Sequence, residues 1–213
     1  ITVGIVIGII SLIFFFQRFG TKIVGFAFGP IMVVWFSMIF LLGFFQVVEH
    51  TEILKSFNPY YAYDLLTNYP KGFWLLGAVF LCTTGAEALY SDLGHCGRKN
   101  IQVSWMFVKL ALVMNYMGQG AWLIQHIGQP MDGLNPFYEI MPHWFLVIGI
   151  GVATVAAIIA SQALISGSFT LINEAISLNF WPRVTVKFPT DQKGQIYIPS
   201  LNFILWIGCI TMC

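Results

Sequence analysis

Charge is what this sequence has least of. Acidic and basic residues together make up 9% of it, ten Lys and Arg against nine Asp and Glu, where a soluble domain carries about a quarter. The net charge of +1 leaves no polybasic surface for a nucleic-acid partner. Cys82, Cys96, Cys209 and Cys213 contain no C-x-x-C pair and stand near no zinc-type histidine pattern. They read as reduced, small apolar side chains, and no transition-metal site is expected. His126 and His143 fall in loops without carboxylates at metal spacing. There is no His-Glu-x-x-His, no G-x-S-x-G and no G-x-x-x-x-G-K, which argues against an enzyme and against a nucleotide-driven pump. The opening ITVGIVIGII has neither an initiator Met nor a basic n-region, so a signal peptide is not expected there. The closing LNFILWIGCITMC runs roughly fifteen residues past Pro199, short of the ~20 that cross a bilayer. Both ends are expected to cut hydrophobic segments, as in an internal piece of a longer chain.

What remains is apolar. Hydrophobic residues account for 58%, with 20 Phe and 7 Trp, too much apolar surface for a soluble core to hide and well suited to lipid contact. An all-α integral membrane domain is expected, with six candidate spans. These run from Ile1 to Phe16, Gly29 to Val48, about Phe73 to Asp92, about Ser104 to Ile124, about Trp144 to Ile165, and from Ser200 to the end of the chain. Pro30 is read as a first-turn proline of the second span. Gly167 to Phe180 reads as a separate amphipathic helix on the inner surface, with Phe169, Ile172, Ile176 and Phe180 on one stripe and Pro182 as its stop. It is either a gating element or a connector. The small residues Gly149, Gly151, Ala153, Ala156, Ala157, Ala160 and Ala163 would let another helix approach the fifth span closely. Ser161 and Ser166 either offer oxygen ligands or bond to carbonyls one turn back.

Loop charges alternate. Arg18, Lys22, Arg98, Lys99, Arg183, Lys187 and Lys193 share one set of loops; Lys55 and Lys71 sit in the other beside Glu49, Glu52, Asp64, Asp132 and Glu139. The positive-inside rule puts the first set in the cytoplasm. The tenth base, Lys109, lies one turn past Trp105 and can snorkel to the same interface.

One span carries carboxylates inside its apolar stretch, FWLLGAVFLCTTGAEALYSDLGHCG. From a start near Phe73, Glu87 lies about 21 Å along the helix axis, within the hydrocarbon. An ionised carboxylate there costs several kcal/mol unless a cation, a proton, water or a hydrogen-bond network meets it. A plain hydrogen bond to a neighbouring helix is the bland alternative. Cys82-Thr83-Thr84-Gly85-Ala86 is poor helix, two β-branched residues followed by Gly. A break at Thr84-Gly85 would turn the carbonyl end of one half-helix toward a cation. Thr83 and Thr84 would add hard hydroxyl oxygens, and Glu87 would enter the first turn of the next half. Asp92, rotated about 140° from Glu87, pairs in spacing with His95 and Lys99, either as a helix-end ion pair or as a proton exit.

At these residues the sequence resembles the Kup/HAK/KT potassium uptake permeases. The likeness rests on TTGAEALYSDLGHCG (Thr83 to Gly97), NYMGQGAWL (Asn115 to Leu123), NPFY (Asn135 to Tyr138), IIASQALISGSFTL (Ile158 to Leu171) and GQIYIPSLN (Gly194 to Asn202), with QRFGTKIVGFAFGPIMVVWF before them. The resemblance implies a K+/H+ symporter of the LeuT-like inverted-repeat fold, these spans being helices four to nine and helix six the broken one. It implies potassium-binding at Thr83, Thr84 and Glu87, proton coupling at Glu87 and Asp92, and further ligands on helices one, three and ten. Potassium ion, proton and the lipid bilayer of the cell membrane would be its partners, with no cofactor; a homodimer stays open. Lys109 and Cys96 depart from the family pattern, where an apolar residue and a Phe are expected. Other readings were an amino-acid or other cation transporter of the same fold, which Glu87 would disfavour for a carboxylate substrate, and a passive channel, for which no TVGYG-like loop is present.

Overall fold

The computed structural model describes residues 2–19, 22–82, 98–131, 133–188 and 196–212. Eight α-helices are described: α1 Thr2–Phe16, α2 Lys22–Glu49, α3 Pro59–Asn68, α4 Gly72–Cys82, α5 Arg98–Gln125, α6 Pro136–Glu139, α7 Leu146–Ser177 and α8 Pro199–Thr211. Segments of 3-10 helix follow α1 at Gln17–Phe19 and precede α3 at Thr51–Phe57. The part of α2 from Ala27 to Glu49 and the whole of α7 are long and apolar enough to cross a membrane. Large apolar side chains face outward: Phe73, Trp74, Phe80, Val103 and Met106 are between 72% and 79% exposed. A water-soluble monomer rarely shows that much contiguous apolar surface.

The described residues form two compact units. One contains those up to Pro30 and those from Val155 onward. Its core is Ile13 and Phe14 of α1, Ile165 and Phe169 of α7, and Ile198 just before α8. Phe169 and Ile198 are fully buried. An antiparallel bridge between Lys187 and Tyr197, with both backbone bonds at 2.9 Å, brings Val184, Val186 and Ile196 against this core. The other unit contains the described residues from Ile31 to Thr154. Met38 and Ile39 of α2, Ala111 of α5 and Met141 form its core, ringed by Trp35, Phe36, Phe137 and Phe145.

Local chemistry explains several helix starts. Asn58 and Asn135 each precede a proline, and each side-chain oxygen accepts from the backbone N–H two residues on, at 3.0 and 3.1 Å. Asn at the cap with Pro at the first helical position is a strong start signal. It makes α3 and α6, short helices within segments read from sequence as loops.

Two boundaries differ from the sequence reading. Pro30 lies inside α2, which begins at Lys22. Gly29-Pro30 resembles a start, but the preceding KIVGFAFG is apolar and its peptide groups are best satisfied by continuing the helix in lipid. An interior proline loses one backbone bond and crowds the carbonyl four residues back; the division between the two units falls at this residue. The second difference is that the fifth span and the amphipathic segment are one helix, α7. Gly167 does not break it, and Ser168 and Thr170 bond to carbonyls one turn back at 2.9 and 3.2 Å. Its end is set before Pro182, by Asn179 in the left-handed region at φ 59°. The N–H groups of Asn179 and Phe180 reach the carbonyls of Ile176 and Ala175 at 3.1 and 2.9 Å, a Schellman closure.

Candidate functional site

Thr83, Thr84, Glu87 and Asp92, with the helix break expected at Thr84-Gly85, lie outside the described residues, as do Asp132 and Lys193. The described chain leads up to them: α4 carries FWLLGAVFLC to Cys82, and α5 resumes at Arg98. Lys109 of α5 places its Nζ 5.5 Å from the centre of the Trp105 ring, one turn nearer the start of the helix. That is the direction a helical side chain takes by default, and the direction a snorkelling base needs.

Polar chemistry that the sequence reading passed over is gathered in the first unit. Gln17, 5% exposed, opens the 3-10 turn that follows α1, and its Nε2 donates to Ser166 Oγ of α7 at 3.5 Å. On α8, Asn202 Nδ2 donates to the Phe14 carbonyl at 3.3 Å, and Trp206 Nε1 donates to Ser11 Oγ at 3.1 Å. Each of these bonds ties α1 to a neighbour. The oxygens Gln17 Oε1, Gln162 Oε1 and Asn202 Oδ1 are buried and have no hydrogen-bond partner. A buried acceptor left so costs about 1–3 kcal/mol, and such an oxygen suits a water molecule or an alkali cation. Ser161 takes the bland role, donating to the Ala157 carbonyl at 2.9 Å, whereas Ser166 faces Gln17. A signal was present in the sequence: Gln162 is an uncharged polar residue within a long apolar run, and Gln17 closes one just before Arg18.

Among the described residues of the second unit, Asn115 is a buried polar side chain, 7% exposed, and its Oδ1 has no hydrogen-bond partner. It lies where α2 and α5 cross at Gly43 and Gly118, which meet through their backbones. Within the small-residue set of the fifth span, Gly149 and Ala156 are buried, while Gly151, Ala157, Ala160 and Ala163 are exposed. His126 stacks on Trp122 at 4.0 Å between ring centres, and its Nδ1–H donates to the Trp122 carbonyl at 2.9 Å. Cys209 is a free, exposed thiol.

Long apolar helices and an apolar exterior, with the buried polar side chains at helix–helix contacts, define an integral membrane domain. The family described as "K+ potassium transporter integral membrane domain" matches residues 1–213, and the chain belongs to it, as the Kup/HAK/KT motifs implied. Curated relatives include the "Probable potassium transport system protein Kup" of Flavobacterium johnsoniae, 62% identical over 98% of this chain and 32% of the relative. Proteins of the same name from Flavobacterium psychrophilum and Clostridium perfringens are 61% and 50% identical, over 98% and 100% of this chain and 33% of each relative. The chain thus spans about a third of the length of the curated relatives it matches. No solved structure matches it.

Proposed function

We propose that this chain is the part of a potassium uptake permease that holds some of the residues of its ion site, and that uptake is secondary active, K+/H+ symport. The family match across all 213 residues carries this reading; the relatives at 62% and 50% identity bear potassium transport names. On this reading the fold is LeuT-like. Helices α1, α2, α5, α7 and α8 are then helices four, five, seven, eight and nine, and the span that begins as α4 is the broken helix six. Thr83 and Thr84 supply hard oxygens to K+. Glu87 supplies the compensating charge and takes up the coupled proton, and Asp92 stands on the proton's way to the cytoplasm. The protein is multi-pass in the cell membrane, with Arg18, Arg98 and Arg183 inside.

Symport requires that neither ion cross without the other; where their binding is linked, each changes the affinity for the other by the same factor. The test is rubidium uptake by the full-length protein reconstituted in vesicles, with and without an imposed proton gradient. Symport predicts accumulation above electrochemical equilibrium with the gradient and none without it. Flux that only equilibrates rubidium, whatever the gradient, would mean a channel instead.

A further inference from the structure

Two glutamines lie on the stripes by which α1 and α7 enter the core of the first unit. On one side Ile10, Ile13, Phe14 and Gln17 recur at helical spacing, and the three apolar ones pack into that core. On α7, Ile158, Gln162, Ile165 and Phe169 recur in the same way, again with the three apolar ones in it. Each stripe thus places an amide where its pattern calls for an apolar side chain. Both amides have oxygen to spare. Gln17 is 5% exposed, and its nitrogen makes the long bond to Ser166 Oγ. Gln162 stands one turn from Ser166, about 6 Å along the α7 axis. Oε1 of each glutamine is buried without a partner, and every buried side-chain polar atom so left among the described residues is an oxygen.

We propose that this contact between α1 and α7 binds a monovalent cation of potassium's class, with Gln17 Oε1, Gln162 Oε1 and the Ser166 hydroxyl as ligands. A buried water makes about three hydrogen bonds and donates at most two of them, so it brings lone pairs to a place already rich in acceptors. An alkali ion is attracted by every oxygen around it, and neutral oxygens are the ligands it accepts. Divalent ions call for carboxylates, and no group of three or more acidic, His or Cys side chains that could hold a metal occurs among the described residues. Gln17 also stands at the carbonyl end of α1, which carries partial negative charge. Neither α1 nor α7 before Glu174 holds a charged residue. Arg18 is turned over the Phe15 ring, its guanidinium 4.0 Å from the ring centre. The site is held in advance from α8, where Asn202 Nδ2 donates to the Phe14 carbonyl at 3.3 Å and so fixes the last turn of α1. The ion fastens the end of α1 to α7, and its binding depends on neither symport nor Glu87.

The test uses thallium(I), a heavy stand-in for potassium, soaked into crystals of the full-length protein and located by its anomalous scattering. A peak is expected in contact with Gln17 Oε1 and Gln162 Oε1, with an occupancy that saturates as thallium is raised and falls when potassium is added. Gln17→Leu should remove it. Gln17→Glu presents oxygen whichever way round the group lies, and it decides the matter where the Leu variant does not fold. It should lower the half-saturating thallium concentration about fivefold or more, the least that a unit charge about 4 Å from the ion contributes even in bulk water. A peak at Gln17 with none at Glu87 would support this site and count against the transport reading. A peak confined to Thr84 and Glu87 would do the reverse. Density at Gln17 without anomalous signal, which marks a water molecule, would also overturn the site, as would occupancy that rises without saturating or that ignores both Gln17 variants.

Discussion

Gly118 of α5 meets Gly43 of α2 backbone to backbone: the point where a Cβ on Gly118 would stand is 2.5 Å from the Gly43 Cα and 2.9 Å from its carbonyl oxygen. Taken the other way, a Cβ on Gly43 would strike the carbonyl of Met114, with the Asn115 Cα 2.8 Å off. Both glycines sit in helices, where Ala is intrinsically better by up to about 1 kcal/mol. Overpacking a helix crossing costs about 1–3 kcal/mol, and here the obstacle is backbone that cannot rotate away. The clash therefore wins.

Gly118→Ala and Gly43→Ala should each lower the thermal midpoint of the detergent-solubilised full-length protein. Gly120→Ala, two residues further along α5, meets only the end of the Ile53 side chain at 3.0 Å and should cost much less. Equal midpoints for the three variants would count against this crossing.

Phe169 supplies a second test, through a contrast within one sequence stripe. Phe169 and Phe180 fall on the same stripe of the amphipathic pattern, yet Phe169 is 0% exposed and Phe180 81%. Phe169 packs against α1 and the approach to α8, with the Tyr197 ring edge-on at 5.9 Å. Phe169→Ala should cost about 3–5 kcal/mol as a core truncation, and Phe180→Ala at most about 0.5 kcal/mol as a surface change. Fluorescence-detected size exclusion after a temperature ramp would rank them; comparable losses would place Phe180 in a contact too.

The helices were legible from sequence because about 20 apolar residues in lipid have one way to satisfy their peptide groups. Boundaries were less so. Gly29-Pro30 has the form of a helix start and Gly167 that of a break, but the apolar residues before Pro30 and the hydroxyl-bonded turns around Gly167 carry both helices through. Nothing local marks Gly43 and Gly118 as partners, since they meet only once α2 and α5 are packed. The same holds for Gln17 and Ser166. Thr84 and Glu87 lie outside the described residues, and the reading of them rests on the composition of one span and on the family motif, with no tertiary contact behind it.

Loop charge makes a topological prediction. Seven bases lie in one set of loops and two in the other, as named above, so Arg98 and Arg183 should be cytoplasmic and Asp64 and Asp132 external. Single cysteines at positions 98 and 132 of an otherwise cysteine-free full-length protein should react with an impermeant maleimide from opposite sides of intact cells. Labelling of both from the same side would reverse this assignment.

Glu87 bears the central prediction. On the proposed reading its carboxylate lies within the hydrocarbon, where an uncompensated charge costs several kcal/mol. Either a proton or a nearby potassium ion relieves that cost, so occupancy by one alters the affinity for the other by a common factor. Glu87→Gln keeps the size and most of the hydrogen-bonding capacity but is locked in the neutral state. It should abolish rubidium accumulation driven by a proton gradient and flatten the dependence of uptake on external pH. Asp92→Asn is the comparison, because on the same reading Asp92 would fall on another helix face, about 140° from Glu87, toward the cytoplasmic end. It should reduce accumulation by a smaller factor and leave a recognisable pH profile. Both variants must reach the membrane in normal amounts for the comparison to hold, which surface biotinylation checks. If Glu87→Gln accumulates rubidium with the unsubstituted protein's pH dependence, the coupling carboxylate is not Glu87. If Asp92→Asn alone loses accumulation, the proton is carried on the helix face that Asp92 shares with His95 and Lys99.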